Sequence, residues 1–365
     1  DQLPDIEGLD LAFRYLPGAQ GAQVGGDWVD VIRLSGGRVA FVIGDVMGRG
    51  LQAAAVMGQL RTAVRAYSVI GLPPEQVLAN LDTLVGEMPG NHIATCLYAV
   101  YDPAHERLTV SSAGHPPLLL ALPDGTSQFV GEEPGTPLGV PFRVPHALEL
   151  TVPAGASLIF YTDGLVERRD SSLSDGMARL HRALPQQLGG EALDVVCDKL
   201  LDACLDLQAT PDDVALLVAR VTPGVVPLRA YLGLAGHDDA AREAREFTAR
   251  TLGEWELCHH QDDVLMVVSE LVANAVRHAD GAVGIDLLRS GDRLAVEVAD
   301  ASTGVPKLDN ASVEEEHGRG LMMVDRLADR WGSRPTDDGK VVWAELAVLS
   351  RSVQAHESGT LAGRR

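Results

Sequence analysis

The sequence has little that would staple a chain, span a bilayer or attract a polyanion. Its four cysteines in 365 residues, Cys96, Cys197, Cys204 and Cys258, form no CxxC pair and no zinc-like spacing. Cys197 and Cys204 fall on the apolar side of one helical run with Leu193, Leu200 and Leu201. All four are expected to be buried core thiols in a reducing cytoplasm. No apolar stretch approaches the ~20 residues that cross a bilayer. The start, Asp1-Gln2-Leu3-Pro4-Asp5, has neither the basic nor the apolar region of a signal peptide. An initiator Met is also missing, which predicts a piece of a longer chain with a sensor or coiled linker ahead of it. Basic residues are scarce: 30 Lys+Arg stand against 51 Asp+Glu, for a net charge of -21. A field of that sign repels phosphate backbones and anionic lipid heads, so nucleic acid and membrane are not expected partners. It directs attention to carboxylate clusters that need a cation.

What is present reads as a folded globular protein, 46% hydrophobic and 22% charged, long enough for two or three ordinary domains. Strand-like runs over Arg38 to Ile43, Ile93 to Val100, Arg107 to Ser111, Leu118 to Leu122, Leu158 to Thr162 and Val214 to Ala219 are separated by turns. Helical spacing appears over Gln52 to Tyr67, after Pro73-Pro74 with Val77, Leu78, Leu81, Leu84 and Val85, and over Glu191 to Leu207. This predicts an α+β layered sandwich over residues 1–221. Thr222-Pro223-Gly224-Val225-Val226-Pro227 reads as a linker, 222–228. Beyond it, helices near 238–252, 262–278 and 320–329, with strands near 283–288, 293–299 and 341–346, predict a smaller α/β sandwich over 229–347. The tail, 348–365, is polar and small-residue-rich and is expected to be disordered. There is no internal repeat.

Four aspartates of the first part share a setting. Asp27 follows a glycine pair in Gly25-Gly26-Asp27-Trp28, and Asp45 ends the apolar run Val42-Ile43-Gly44-Asp45. Asp163 does the same in Phe160-Tyr161-Thr162-Asp163-Gly164, and Asp212-Asp213 precedes Val214-Ala215-Leu216-Leu217. A lone Asp-Gly after a strand is usually a turn. Several carboxylates at strand ends instead converge on one sheet edge, repel, and call for a cation. Oxygen-only donors suit a hard ion, Mg²⁺ or Mn²⁺, and two such ions sharing a carboxylate can activate water for in-line attack on a phosphoryl group. Together with Gly44-Asp45-Val46-Met47-Gly48-Arg49-Gly50 and Ser112-Ala113-Gly114-His115-Pro116-Pro117, these motifs resemble the series of SpoIIE-type phosphatases. That family is the bacterial branch of the metal-dependent serine/threonine protein phosphatases (PPM, type 2C-like). The resemblance implies a β-sandwich flanked by helices and a dinuclear Mn²⁺/Mg²⁺ centre. Asp45 would bridge the ions, with Asp27, Asp163, Asp212 and the Val46 carbonyl as further ligands, and Asp45 and Asp163 as catalytic groups. Asp212 is preferred to Asp213 by position in the family motif, and Asp30 could take part through water. Arg49 reads as either a phosphate contact or a solvated loop residue, and His115 as a structural turn histidine.

In the second part, Glu270, Asn274 and His278 share one helical face in Ser269-Glu270-Leu271-Val272-Ala273-Asn274-Ala275-Val276-Arg277-His278. Asn274 suits Mg²⁺ and Glu270 the deprotonation of a nucleophile. Val296-Glu297-Val298-Ala299-Asp300 ends a strand in a carboxylate that can accept a hydrogen bond from an exocyclic amine such as that of adenine. His317-Gly318-Arg319-Gly320-Leu321 opens a helix whose N–H groups can approach phosphates. The three boxes, with Ala328-Asp329-Arg330-Trp331-Gly332, resemble the Bergerat (GHKL) ATP fold and the anti-sigma factor serine kinases within it (RsbW/SpoIIAB-like). The resemblance implies Asn274 as Mg²⁺ ligand, Glu270 as catalytic base and Asp300 as adenine contact. It places Gly304, Gly318, Arg319 and Gly320 along the nucleotide, ATP with Mg²⁺, under a lid from Ser302 to His317. Ser302 departs from the pattern, standing where the wider group has the first glycine of Asp-x-Gly-x-Gly, and Glu314-Glu315-Glu316 lies close to the expected phosphates.

The combination suggests a bifunctional partner-switching regulator. One domain would remove phosphate from a small phosphorylated anti-sigma antagonist (STAS-like). The other would bind a sigma factor or act as the opposing serine kinase. Alternatives are a second domain that only docks in response to nucleotide, and a phosphatase acting outside sigma regulation. A homodimer is left open.

Overall fold

The computed structural model describes residues 3–18, 25–131, 135–141, 146–168, 171–185, 190–205, 212–224, 227–234, 239–278, 283–302, 304, 319–336 and 338–348. The expected lid beyond Ser302 and the tail fall almost wholly outside these. Two compact units form, one of Asp1–Leu34 with Arg38–Val226, the other of Ser35–Gly37 with Pro227–Arg365. Among the described residues no helix is long and apolar enough to cross a membrane.

The first unit contains two five-stranded antiparallel sheets. One has the order β1 (Leu9–Leu16), β10 (Val214–Val221), β9 (Ser157–Tyr161), β6 (Leu118–Ala121), β7 (Ser127–Val130). The other runs β2 (Trp28–Arg33), β3 (Val39–Val46), β4 (Ala94–Asp102), β5 (Arg107–Ala113), β8 (Leu148–Thr151). Their inner faces meet through Phe41, Ile43, Leu97, Leu158, Phe160 and Leu217, with the Phe41 and Phe160 rings stacked at 5.2 Å. Helices α1 (Leu51–Val69) and α2 (Pro74–Glu87) cover the outer face of the β3 sheet through Val56, Leu60, Val64, Leu78 and Leu81. Helices α3 (Leu173–Ala183) and α4 (Leu193–Cys204) cover the outer face of the β10 sheet. Every residue of β10 is buried. A strand covered on both faces is mostly apolar, which is why its sequence shows no alternation; its one charged residue, Arg220, donates to the Glu191 carbonyl at 2.9 Å. The polar helix α3 is started by a capping box, Ser172 Oγ accepting from the Asp175 N–H while the Asp175 carboxylate accepts from the Ser172 backbone N–H and hydroxyl.

The second unit is one antiparallel sheet, β11 (Leu228–Leu234), β12 (Val283–Ser290), β13 (Arg293–Asp300), β15 (Gly339–Ala347), β14 (Arg330–Thr336). Helices α5 (Ala240–Glu254), α6 (Gln261–His278) and α7 (Arg319–Leu327) pack on it around Val264, Val268, Leu271, Ile285, Val296 and Val298. Cys96, Cys197 and Cys204 are buried as expected; Cys258 is exposed, because it opens a single 3-10 turn ahead of α6 instead of a core-facing helical position.

Candidate functional site

The topology brings four strand ends to one edge of the first unit. Trp28 pairs with Gly44, so Asp27 enters β2 beside the end of β3 that carries Asp45. Tyr161 pairs with Leu216, so Asp163, just beyond β9, meets Asp212 and Asp213, just before β10. The approach is close. A Cβ on Gly26 would lie 2.3 Å from the Val46 carbonyl oxygen and 2.7 Å from Asp45 Oδ1, so only glycine fits. The Val46 N–H also bonds the Gly26 carbonyl at 3.2 Å.

Electrostatics follow from the crowding. Burial, then the Asp45 charge, raises the Asp27 carboxyl well above its ordinary range. Burial also raises Asp45, with Asp212 and Asp213 adding to it, while a hydrogen bond with Asp27 works the other way. Asp163 is pushed up to about 6 by burial, Asp45, Glu167 and Asp212. Thr162 Oγ1 donates to Asp27 Oδ2 at 2.7 Å and accepts from the Ala215 N–H at 2.9 Å, tying Asp27 to β10. Sequence reasoning missed Thr162, although it sits inside the Tyr-Thr-Asp-Gly motif.

The expected ligands hold different stations. Asp27, Asp45 and Asp163 are buried or half-buried, whereas Asp212 is exposed and pairs with Arg49 at 3.4 Å. Asp213 turns inward, its Oδ1 accepting from the Gly18 N–H at 2.9 Å. Tyr15 hydrogen-bonds Asp213, and its phenol is raised to about 12, by burial and then by Asp213 and Asp27. Among the described residues no three acidic, His or Cys side chains converge tightly enough to enclose an ion as they stand. The donor set nevertheless fits a hard cation: carboxylates that resist ionising together, beside a carbonyl in a cradle that a Cβ would fill. Asp212 could join these donors only by giving up Arg49.

Two expectations resolve into structural roles. Asp30 takes no part in the cluster. It is buried against Arg65, with both contacts at 2.5 Å, and Arg61 stands at 3.5 Å, so β2 is tied to α1. His115 is buried between Thr95 Oγ1 at 2.9 Å and the Tyr161 carbonyl at 3.1 Å, and burial lowers it to about 3. It stays neutral and serves as a turn histidine.

In the second unit, Glu270 and Asn274 lie half-buried one turn apart on α6, and His278 is exposed at its end. A Cβ on Gly320 would fall 2.3 Å from Glu270 Oε2 and 3.8 Å from Asn274 Nδ2, so the first turn of α7 faces both. Arg277 Nη1 donates to Asn274 Oδ1 at 3.4 Å. The Glu270 and Asn274 side-chain oxygens are hard donors of the kind that suit Mg²⁺. Gly304 is exposed, Gly318 lies outside the described residues, and Arg319 opens α7. The base end departs from expectation. Asp300 is buried and accepts from the Ser302 N–H at 2.8 Å, the Ser302 hydroxyl at 2.6 Å and the Lys340 ammonium at 2.9 Å, all at Oδ1. Nothing in the sequence reading had placed Lys340 there.

Comparison with known proteins agrees with this layout. The chain is 25% identical over 223 residues to "Phosphoserine phosphatase RsbU" of Bacillus subtilis, covering 60% of this chain and 65% of that protein. It is 24% identical over 247 residues to "Protein IcfG" of Synechocystis, covering 59% of this chain and 38% of that one. It thus spans less than two thirds of either relative's length. The crystal structure of the RsbU and RsbW domains of Rv1364c from Mycobacterium tuberculosis matches with TM-score 0.56 and 27% identity. That match covers 96% of this chain and 98% of the other. A histidine kinase-like ATPase domain matches residues 234–346, and the family described as Stage II sporulation protein E matches residues 35–222, more than half of the chain. With the acidic strand ends of its first unit and the helix and glycine boxes of its second, the chain belongs to the SpoIIE family, a PPM-type phosphatase domain joined to a GHKL-type ATPase domain.

Proposed function

We propose that this chain hydrolyses phosphoserine or phosphothreonine on a small anti-sigma antagonist of the STAS-like kind, using Mn²⁺ or Mg²⁺ held at Asp27, Asp45, Val46, Asp163 and Asp212. The observation that carries the reading is the pairing of Asp27 with Asp45 next to Asp163, where burial and mutual repulsion make full ionisation unfavourable without a cation. Two bound ions supply an activated water and charge compensation on the phosphoryl oxygens. Asp45, hydrogen-bonded to Asp27 and followed in sequence by the Val46 carbonyl, would be the ligand common to both ions. Thr162 would orient Asp27 toward the ions through its hydrogen bond, and Arg49, once released from Asp212, would be free to meet the phosphoryl group. The names of the RsbU relative and of the RsbU/RsbW structure support partner switching as the setting.

The domain organisation in this reading is 1–221 phosphatase, 222–228 linker, 229–347 ATP-binding domain and 348–365 tail, in the cytoplasm. The second domain binds ATP with Mg²⁺, Asn274 ligating the ion and Glu270 acting as base toward a serine of the antagonist. Kinase and phosphatase in one chain then set the phosphorylation level of one partner. A second reading, nucleotide-dependent docking without turnover, is favoured by the partnered state of Asp300.

The test is phosphate release from a phosphoserine protein in Mn²⁺ and in EDTA. Release is expected to be EDTA-sensitive and lost in Asp45→Asn together with tight Mn²⁺ binding; Mn²⁺-dependent turnover by that variant would sink the metal assignment. For the second domain, Glu270→Ala is expected to abolish phosphorylation of the antagonist while ATP still binds.

A further inference from the structure

The base end of the nucleotide site carries a cation that adenine does not call for. In the β13–β15 register Asp300 lies directly opposite Lys340. The Lys340 side chain is 10% exposed and that of Asp300 is 2% exposed. The ammonium donates to Asp300 Oδ1 at 2.9 Å, to Ser302 Oγ, and to the Ser302 carbonyl at 3.5 Å. Close packing holds it in place: a Cβ on Gly339 would lie 2.1 Å from the Asp300 carbonyl oxygen, so the start of β15 is pressed against the Asp300–Ala301 backbone. Ser302 completes the lock. Its backbone N–H and hydroxyl both donate to the same Asp300 oxygen, and its hydroxyl accepts from Lys340.

A desolvated carboxylate bonded to an ammonium is a poorer acceptor for a neutral amine than one that waits unpaired. All three contacts fall on Oδ1, and the ammonium draws charge from the whole carboxylate, so an exocyclic amine approaching Oδ2 meets a weakened acceptor. At the other end, Gly320 lies against Glu270, and the cation there, Arg277, is exposed and reaches Asn274 Oδ1 only at 3.4 Å. We propose that Lys340 competes with the nucleotide base for Asp300, so that the chain holds a nucleoside triphosphate chiefly by its phosphates and Mg²⁺ and selects weakly for adenine. The proposal rests on the nucleotide-binding reading of the second domain and deepens it. Lys340 is thereby a specificity-determining residue.

The experiment is equilibrium binding of ATP and of GTP, each with Mg²⁺, to the full chain and to Lys340→Thr, Lys340→Arg and the double variant Asp300→Asn/Lys340→Thr. Lys340→Thr frees the carboxylate. It is expected to bind ATP at least about tenfold more tightly and to widen the ATP-over-GTP ratio, because a hydrogen bond to a charged group is regained. Lys340→Arg retains the ion pair and is expected to behave as the parent. Because Lys340→Thr leaves a buried charge that can lower folding stability, the double variant, with a neutral acceptor, carries the same expectation of tighter ATP binding. Unchanged or weaker ATP binding in both Thr variants overturns the proposal. Parent binding of ATP far above GTP overturns it as well. Absence of binding of either nucleotide to the parent and every variant overturns the nucleotide reading itself, a result distinct from the other two.

Discussion

At the residue scale the phosphatase site is organised by who neutralises whom. Asp27 and Asp45 share a hydrogen bond, Asp212 has Arg49, and Asp163 is pushed up to about 6 by burial and its acidic neighbours. Thr162 is the fixed point, its hydroxyl donating to Asp27 while its oxygen accepts from the Ala215 N–H. Thr162→Val removes both bonds at nearly constant volume. Orienting partners of ligands typically matter by 10–100-fold, so Mn²⁺ affinity is expected to fall by about tenfold. Leaving the buried Ala215 N–H and Asp27 without this partner is expected to cost ~1–3 kcal/mol. Calorimetric Mn²⁺ titration and urea unfolding read the two effects separately, and an unchanged Mn²⁺ affinity would remove Thr162 from the site.

At the element scale, α1 links the acidic edge to the core. It begins at Leu51, beyond the Gly48–Arg49–Gly50 turn, and buries Val56, Leu60 and Val64 against the β3 sheet. Arg65 on its outer turns holds buried Asp30 on β2. Arg65→Met is expected to cost ~1–3 kcal/mol in urea unfolding; this is less than for a fully buried pair because the Arg65 side chain is 53% exposed and Arg61 stands nearby. Activity per folded molecule is expected to persist, since Asp30 faces α1 and not the ligand cluster. Loss of Mn²⁺ binding in a folded Arg65→Met protein would instead return Asp30 to the site. Leu60→Ala, by contrast, opens a cavity at a fully buried position and is expected to cost ~2–5 kcal/mol by the same measurement.

At the scale of the whole molecule, the net charge of -21 and the acidic edge tie metal, pH and stability together. Asp163 is raised to about 6 in the folded chain, against about 3.9 for an ordinary Asp. The folded metal-free state therefore holds more protons than the unfolded state between those values, and this group's contribution to stability declines as pH rises through the window. A cation removes the cost by binding the ionised form. The rise in melting temperature on adding Mn²⁺ is accordingly expected to be small near about pH 4.5 and to grow through about pH 6.5, with Asp27, raised further than Asp163, extending the rise above that. Thermal unfolding in Mn²⁺ and in EDTA across that range measures it, and a shift that shrinks with rising pH would contradict the carboxylate assignment.

Much was legible in the chain itself. Continuous apolar runs such as β3 and β10 announce strands covered on both faces. Helical spacing announces α1, α2 and α6, and the order of acidic and glycine motifs announces both domains. Other elements were not legible. β14, Arg330–Thr336, contains Arg, Gly and Pro, and is a strand only because β15 supplies its partners. α3 shows little more than its capping box, and β7 and β8 are four residues each. The site divides the same way. Residue type and local spacing placed Asp27, Asp45, Asp163 and Asp212 at strand ends, because a strand end is a local property of the chain. Tertiary structure alone turned Asp30 to Arg65, turned Asp213 toward the Gly18 N–H while Asp212 met Arg49, and set Lys340 opposite Asp300. Those partnerships join residues far apart in sequence, and only strand register and the packing of helix on sheet bring them within hydrogen-bonding distance.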